Sequence, residues 1–241
     1  MDLFSFLNPA DASRLTLTIQ RLGVQGVSVW ALAGGIAIEL QILRCGSTSR
    51  MRGLQDVDFV VESFDCIPQA LGRDLLLRHV HPHDPPAKML LQGIDPSTAV
   101  RIDVFRAYGC ELTRVTDIAL AGVCLKMISA QDIIARHARL CWDLVEGKQV
   151  AAKYARDFLR LLECFVSSEV QEIWQEHRKN ECPESFELTV QELRRAINLR
   201  SDLLLPQQFS RDVCAACPRC HPTESFPLAD ARQVRDILGY C

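Results

Sequence analysis

The 241-residue chain is poor in aromatic side chains, which make up only 7% of it. It holds no apolar run approaching the roughly eighteen residues that a membrane-crossing helix needs. Neither charge is in excess: 27 Lys and Arg face 30 Asp and Glu, for a formal net charge of −3. That balance excludes a broad electrostatic hold on nucleic acid and leaves room only for a local basic patch. The opening residues, MDLFSFLNPAD, lack a basic stretch and carry Asp2, so they do not read as a secretory signal. A cytoplasmic, membrane-free protein with reduced thiols is therefore expected.

Against that compartment, eleven cysteines are many, and their odd number speaks against a disulfide framework. Cys45, Cys66, Cys110, Cys124, Cys141 and Cys164 are scattered singly among apolar residues and read as small packing hydrophobes. Cys214, Cys217 and Cys220, at three-residue spacing, and the terminal Cys241 form a separate group.

The hydrophobic pattern predicts an α/β front half. SVWALA (28–33) reads as a strand stopped by Gly34-Gly35, and IAIELQIL (36–43) as a helix. VDFVV (57–61), KMLLQ (88–92) and AVRIDVF (99–105) read as strands, and residues 67–78 as a helix. Behind them the pattern turns helical: Ser129, with Asp132 three residues on, caps one helix, and 151–166, 168–178, 187–200 and 229–238 follow. The expected fold class is α/β, a small mixed sheet with flanking helices, followed by an α-helical half and a Cys-rich zinc-binding tail. The corresponding segments are 1–127, 128–205 and 206–241.

Three aspartates give the front half its chemistry. Asp56 and Asp58 flank Val57 and, by strand alternation, lie on one face. Asp103 sits between Ile102 and Val104, where an acid is costly unless partnered. An adjacent strand carrying Asp103 would add a third oxygen donor, the set a hard cation such as Mg²⁺ favours. Gly34-Gly35, between a strand and a helix, offer bare backbone N–H groups suited to phosphate.

ALAGGIAIEL, LQDVDFVV and VRIDVF, in that order, resemble the nucleotidyltransferase superfamily with the DNA polymerase β-like fold. GGIAIEL, with Arg50 and Arg52 just before Asp56, is most similar to its toxin-type (AbiEii-like) and aminoglycoside-type branches. EGKQVAAKYARDFLRLLE resembles the toxin-type branch in its Lys153 and Asp157, one helical turn apart. The resemblance spans about residues 28–165 and departs from the compact members in one respect, the long 45–53 loop before Asp56.

The resemblance implies transfer of a nucleoside monophosphate from a nucleoside triphosphate to an acceptor hydroxyl on RNA, protein or a small molecule. It implies Mg²⁺ on Asp56, Asp58 and Asp103, with Asp103 also placed as a general base. Triphosphate contacts fall to Gly34, Gly35, Arg50 or Arg52, and to Lys153, whose other reading is an exposed lysine paired i,i+4 with Asp157. A cognate antitoxin is the implied protein partner. The competing reading is a non-catalytic or regulatory module that keeps the fold within a toxin–antitoxin pair.

In the tail, CAACPRCH (214–221) matches a c-type haem attachment pattern, which lacks export machinery here, and a zinc half-site. Structural Zn²⁺ on Cys214, Cys217, Cys220 and Cys241 is the expectation, with His221 as the substitute ligand. His79, His81 and His83, in HVHPHDPP, read as part of a surface loop because three prolines interrupt the run. Arg194, Arg195, Arg200 and Arg211 form a basic edge on the rear half that would suit an RNA acceptor.

Overall fold

A computed structural model describes residues 2–54, 56–63, 66–68, 70–80 and 90–206. The chain begins with a helix, α1 (Pro9–Val24), started by the Asn8 side chain, which accepts from the Asp11 N–H at 2.9 Å, and by Pro9 in the first turn. Ala12, Leu15, Ile19 and Leu22 give it one buried stripe. β1 (Ala31–Ala33) then runs directly into α2 (Gly34–Arg44). β2 (Asp56–Val61), the short α3 (Leu71–Asp74), β3 (Leu76–Val80), β4 (Leu90–Asp95) and β5 (Val100–Arg106) complete one side of the sheet. A hairpin, β6 (Thr116–Leu120) and β7 (Val123–Met127), forms the other edge.

These seven strands form one sheet in the order β3-β4-β5-β2-β1-β7-β6. β2 runs parallel to β5 and β1 parallel to β7, while the remaining neighbours are antiparallel, so the sheet is mixed. Period-two alternation sends Val57, Phe59, Ile102 and Val104, each at most 2% exposed, into the core. Trp30 meets Phe59 there edge-on, with ring centroids 5.5 Å apart. The acids of β2 and β5 are left on the opposite face.

The rear half is helical: α4 (Ala130–Val145), α5 (Ala152–Cys164), α6 (Gln171–His177) and α7 (Phe186–Leu199). Ser129 caps α4 as its sequence predicts, accepting from the Asp132 N–H at 3.0 Å. β8 (Val150–Ala151) and β9 (Leu204–Leu205) pair in parallel beside α5. No helix among the described residues is long and apolar enough to cross a membrane.

The structure corrects several local expectations. Residues 67–78 are not one helix; among the described residues of that range only Leu71–Asp74 is helical, and β3 follows at once because pairing with β4 overrides the local pattern. SVWALA is a 3₁₀ turn (Val27–Val29) before a three-residue strand. The strand expected at 88–92 is seen over Leu90–Asp95, three residues beyond its expected end, and residues 88 and 89 lie outside the described residues. Of the six cysteines read as core packing, Cys141 is buried, whereas Cys45, Cys110 and Cys124 are exposed and Cys66 and Cys164 half-buried. Cys182 is the other buried thiol among the described residues. Of the three alternating histidines, His79 falls within β3 rather than a loop, and His81 and His83 lie outside the described residues. The whole proposed zinc site, Cys214, Cys217, Cys220 and Cys241, and the 229–238 helix lie outside them too.

A buried ionic knot fastens the helical half to the sheet. Arg114, between β5 and β6, donates to both oxygens of Asp132 on α4 at 3.0 and 2.7 Å. Its other amino group bonds Glu176 on α6 at 2.9 Å. Asp132 also faces His177 Nε2 at 3.1 Å and accepts from the Ser129 hydroxyl at 2.5 Å. Glu111 is gripped by Arg136 through both carboxylate oxygens, at 2.6 and 2.7 Å. Burial alone would raise the Asp132 carboxyl, but the bonds from His177, Arg114 and Ser129 outweigh it and hold it down at about 2.

A carboxyl lowered in the fold stabilises above its unfolded pKa and loses that contribution as pH falls through its folded value. Asp132→Asn should therefore lower the unfolding free energy by about 3 to 5 kcal/mol at neutral pH, the usual cost of breaking a buried charge pair. The deficit relative to the unsubstituted protein should shrink as pH falls from about 4 to about 2. Urea denaturation across that range checks both.

Candidate active site

The candidate site forms where β1 ends, β2 begins and α2 starts. Asp58 lies opposite Ala33 of β1 on one side and Asp103 of β5 on the other; Asp56 lies opposite Arg101. One row further, Gln92 of β4 lies opposite Asp103. Register therefore brings Asp56, Asp58, Arg101, Asp103 and Gln92 to one face of one end of the sheet. Strand alternation puts Asp56 and Asp58 on one face, and the parallel β2–β5 pairing puts Asp58 and Asp103 abreast.

Gly34 has φ +61°, the left-handed region that L side chains rarely adopt. A Cβ at this position would lie 1.7 Å from Oδ2 of Asp58, so the carboxylate rests directly against the bare Cα. A Cβ on Gly35 would lie 2.3 Å from Nη1 of Arg52. The two glycines thus let an acid from β2 and a guanidinium from the 45–53 loop approach the same helix start. No side chain caps α2, which leaves its first N–H groups available to an anion.

Charge at this place is crowded. The Asp58 carboxyl is pushed well above the usual carboxylate range, first by desolvation and then by the negative charges of Asp56 and Asp103. Lys153 of α5 and Arg101 offset this only in part. Arg101 bridges the other two acids, with one amino group on Asp56 and Nε 3.2 Å from Oδ1 of Asp103. Three carboxylates at a sheet end, one of them driven toward its protonated form, are a donor set that suits a hard divalent cation. Their oxygens are not drawn into a closed cage, however. Among the described residues only Glu111, Asp132 and His177 bring three ligand atoms within 4.8 Å of one another. That cluster is saturated by Arg114, Arg136 and Ser129, so a metal would have to displace two guanidinium groups.

Of the expected phosphate contacts, Arg52 lies against Gly35 and Lys153 is near enough to Asp58 to oppose the rise of its carboxyl. Arg52 donates through Nε to Glu39 at 2.8 Å and through Nη2 to Asp157 at 2.5 Å. Asp157 is therefore engaged by Arg52, which differs from an i,i+4 pairing with Lys153. The Lys153 ammonium sits 5.2 Å from the centre of the Tyr154 ring. Arg50 differs: its backbone N–H bonds Glu39 at 3.1 Å, and its exposed side chain lines a separate cavity of about 310 Å³ with Arg156, Leu159 and Ile197.

Sequence reasoning missed Glu39, Arg101, Tyr154 and Arg160. Tyr154 packs edge-on to His137, and burial with the nearby charges of Asp58 and Asp56 raises its phenol. Glu39 is fully buried and binds Arg160 through both oxygens at 2.6 and 2.9 Å. The signal was present: an acid inside the apolar run IAIELQIL needs a partner.

No family profile matches the sequence, and no curated protein matches it. Among solved structures the chain is similar to an antigenic nucleotidyltransferase-like protein from Paracoccidioides brasiliensis, at 17% identity and a TM-score of 0.45, over 81% of this chain and 95% of that one. It is also similar to JHP933 from Helicobacter pylori, at 14% identity and a TM-score of 0.36, over 78% and 93%. Likenesses this distant carry no weight for the chemistry, which rests on the residues themselves.

The Gly34 geometry makes a sharp test. Gly34→Ala should cost about 2 kcal/mol or more, combining a left-handed conformation with a clash against Asp58. Chemical denaturation measures it, and Gly53→Ala, where a Cβ would meet nothing within 4 Å, serves as the neutral control.

Proposed function

We propose that the chain is a nucleotidyltransferase, moving a nucleoside monophosphate from a nucleoside triphosphate onto an acceptor hydroxyl. The observation that carries this reading is the placement of Asp58 and Asp103 abreast on parallel strands, with Asp58 resting on Gly34 at an uncapped helix start. Carboxylates for a cation and open N–H groups for phosphate thus share one corner.

Asp56, Asp58 and Asp103 would hold Mg²⁺, which supplies charge neutralisation for the polyphosphate and the departing pyrophosphate. The Gly34 and Gly35 N–H groups, Nη1 of Arg52 and the Lys153 ammonium bind the phosphates. Asp103 takes the proton of the acceptor hydroxyl, whose oxygen attacks the α-phosphorus as its bond to the β-phosphate oxygen breaks. RNA, a protein and a small molecule are the acceptors proposed, within a toxin-type system whose antitoxin would be a partner. Structural Zn²⁺ on Cys214, Cys217, Cys220 and Cys241 belongs to the same proposal, supported by their spacing alone.

One observation favours a second reading, a non-catalytic module that keeps the fold: Arg101 bridges Asp56 and Asp103, where a cation would bind. A single experiment separates the two. Incubated with labelled nucleoside triphosphates, Mg²⁺ and total RNA or protein, the enzyme should transfer label. Asp56→Asn with Asp58→Asn should reduce transfer by about 10³-fold or more, as expected when a stabilising cation is lost, with an unchanged circular dichroism spectrum. No transfer by the unsubstituted protein, or full transfer by the double variant, would contradict the proposal.

A further inference from the structure

We propose that Glu39, from inside α2, is a positioning residue that holds Arg52 for the triphosphate and so sets nucleotide affinity; this rests on the nucleotidyltransferase reading. Glu39 lies one turn after Gly35 and is wholly buried. Burial works to raise its carboxyl, but Arg160, the Arg50 N–H and Arg52 outweigh this and keep it below the usual range, hence ionised. A buried carboxylate in α2 is therefore the fixed negative point to which the 45–53 loop and α5 are tied.

The geometry of Arg52 shows what this anchoring does. Its guanidinium is planar, with five donors in a rigid fork. Nε is held by Glu39 and Nη2 by Asp157, at 2.8 and 2.5 Å. Two carboxylates on two edges fix the plane, and the third edge, Nη1, is directed over Gly35 at the start of α2. A phosphate there would meet a donor already oriented, without the entropy cost of ordering a long side chain. Arg160 binds the same carboxylate but turns both amino groups to Glu39 and presents none to Gly35. It stabilises the Glu39 carboxylate and passes 3.7 Å from Asp157, and none of its atoms lies within 4 Å of a Cβ placed on Gly35.

That difference separates positioning from simple stability. Glu39→Gln and Arg160→Met each break the same buried pairing and should lower thermal stability by comparable amounts. Only Glu39→Gln releases Arg52. It should raise the Kd for magnesium tripolyphosphate and the KM for nucleoside triphosphate about tenfold, as expected for loss of one charge-assisted contact, with kcat changed less than about threefold. Arg160→Met should leave Kd and KM within about twofold. Should Glu39→Gln not fold, Glu39→Asp, which keeps the charge but draws it back by one methylene, carries the same expectation. Equal shifts in the Glu39 and Arg160 variants, or none in either, would overturn the positioning role while leaving the transferase reading intact. Failure of the unsubstituted protein both to bind tripolyphosphate and to transfer label would overturn the two together.

Discussion

The contact between the Asp58 carboxylate and the bare Cα of Gly34 is the constraint on which the corner depends. β1 must end, turn through a left-handed residue and begin α2 without an intervening loop, while β2 runs antiparallel beside it. Any side chain at position 34 would occupy the space of the carboxylate. The absence of one atom thus lets an acid on a strand and the N-terminus of a helix share a boundary. Asp56 follows from strand period, and Asp103 from the parallel register of β5. The chemistry proposed for the site is a consequence of that close approach.

Charge compensation then organises the surroundings. Desolvation and the charges of Asp56 and Asp103 raise the Asp58 carboxyl, and Lys153 and Arg101 answer them only in part. Around the corner, Glu39 and Asp157 are buried acids, each matched by Arg52 and Arg160. A second knot, centred on Asp132 and Arg114, joins the same two halves near α6. Ion pairs buried in this way are costly to break on one side only. They therefore fix how α4, α5 and α6 sit against the sheet, and with that where Lys153 and Tyr154 meet the acids.

Much of the site was legible because its signals are local. A Gly pair after an apolar run, an Asp-x-Asp at a strand start and an acid between Ile102 and Val104 each obey short-range rules. The Ser129 cap was legible for the same reason. The charged web is legible only in part: Glu39 inside an apolar run asks for a partner, but Arg160 stands 121 positions away and reads on its helix as solvated. β3 was taken for part of a helix because its pairing with β4, not its composition, decides its state. The β6–β7 hairpin turns on Ala121-Gly122, both at positive φ, without the Asn-Gly or Asp-Gly pair that usually announces such a turn. α1 is a different case, since Asn8, Pro9 and the stripe through Leu22 carry ordinary helix signals. Cysteine was misjudged where single apolar neighbours suggested burial and helix ends gave exposure instead, as at Cys45 after α2.

The central claim is that Asp56, Asp58 and Asp103 form one cation site beside Gly34 and Gly35. A crystal structure with Mn²⁺ and a non-hydrolysable nucleoside triphosphate tests it most directly. The account predicts anomalous density among the three carboxylates, Arg101 withdrawn from Asp56 and Asp103, and phosphate oxygens against the first turn of α2. Nucleotide bound elsewhere, or Arg101 still bridging the two aspartates with no metal beside Asp58, would contradict it.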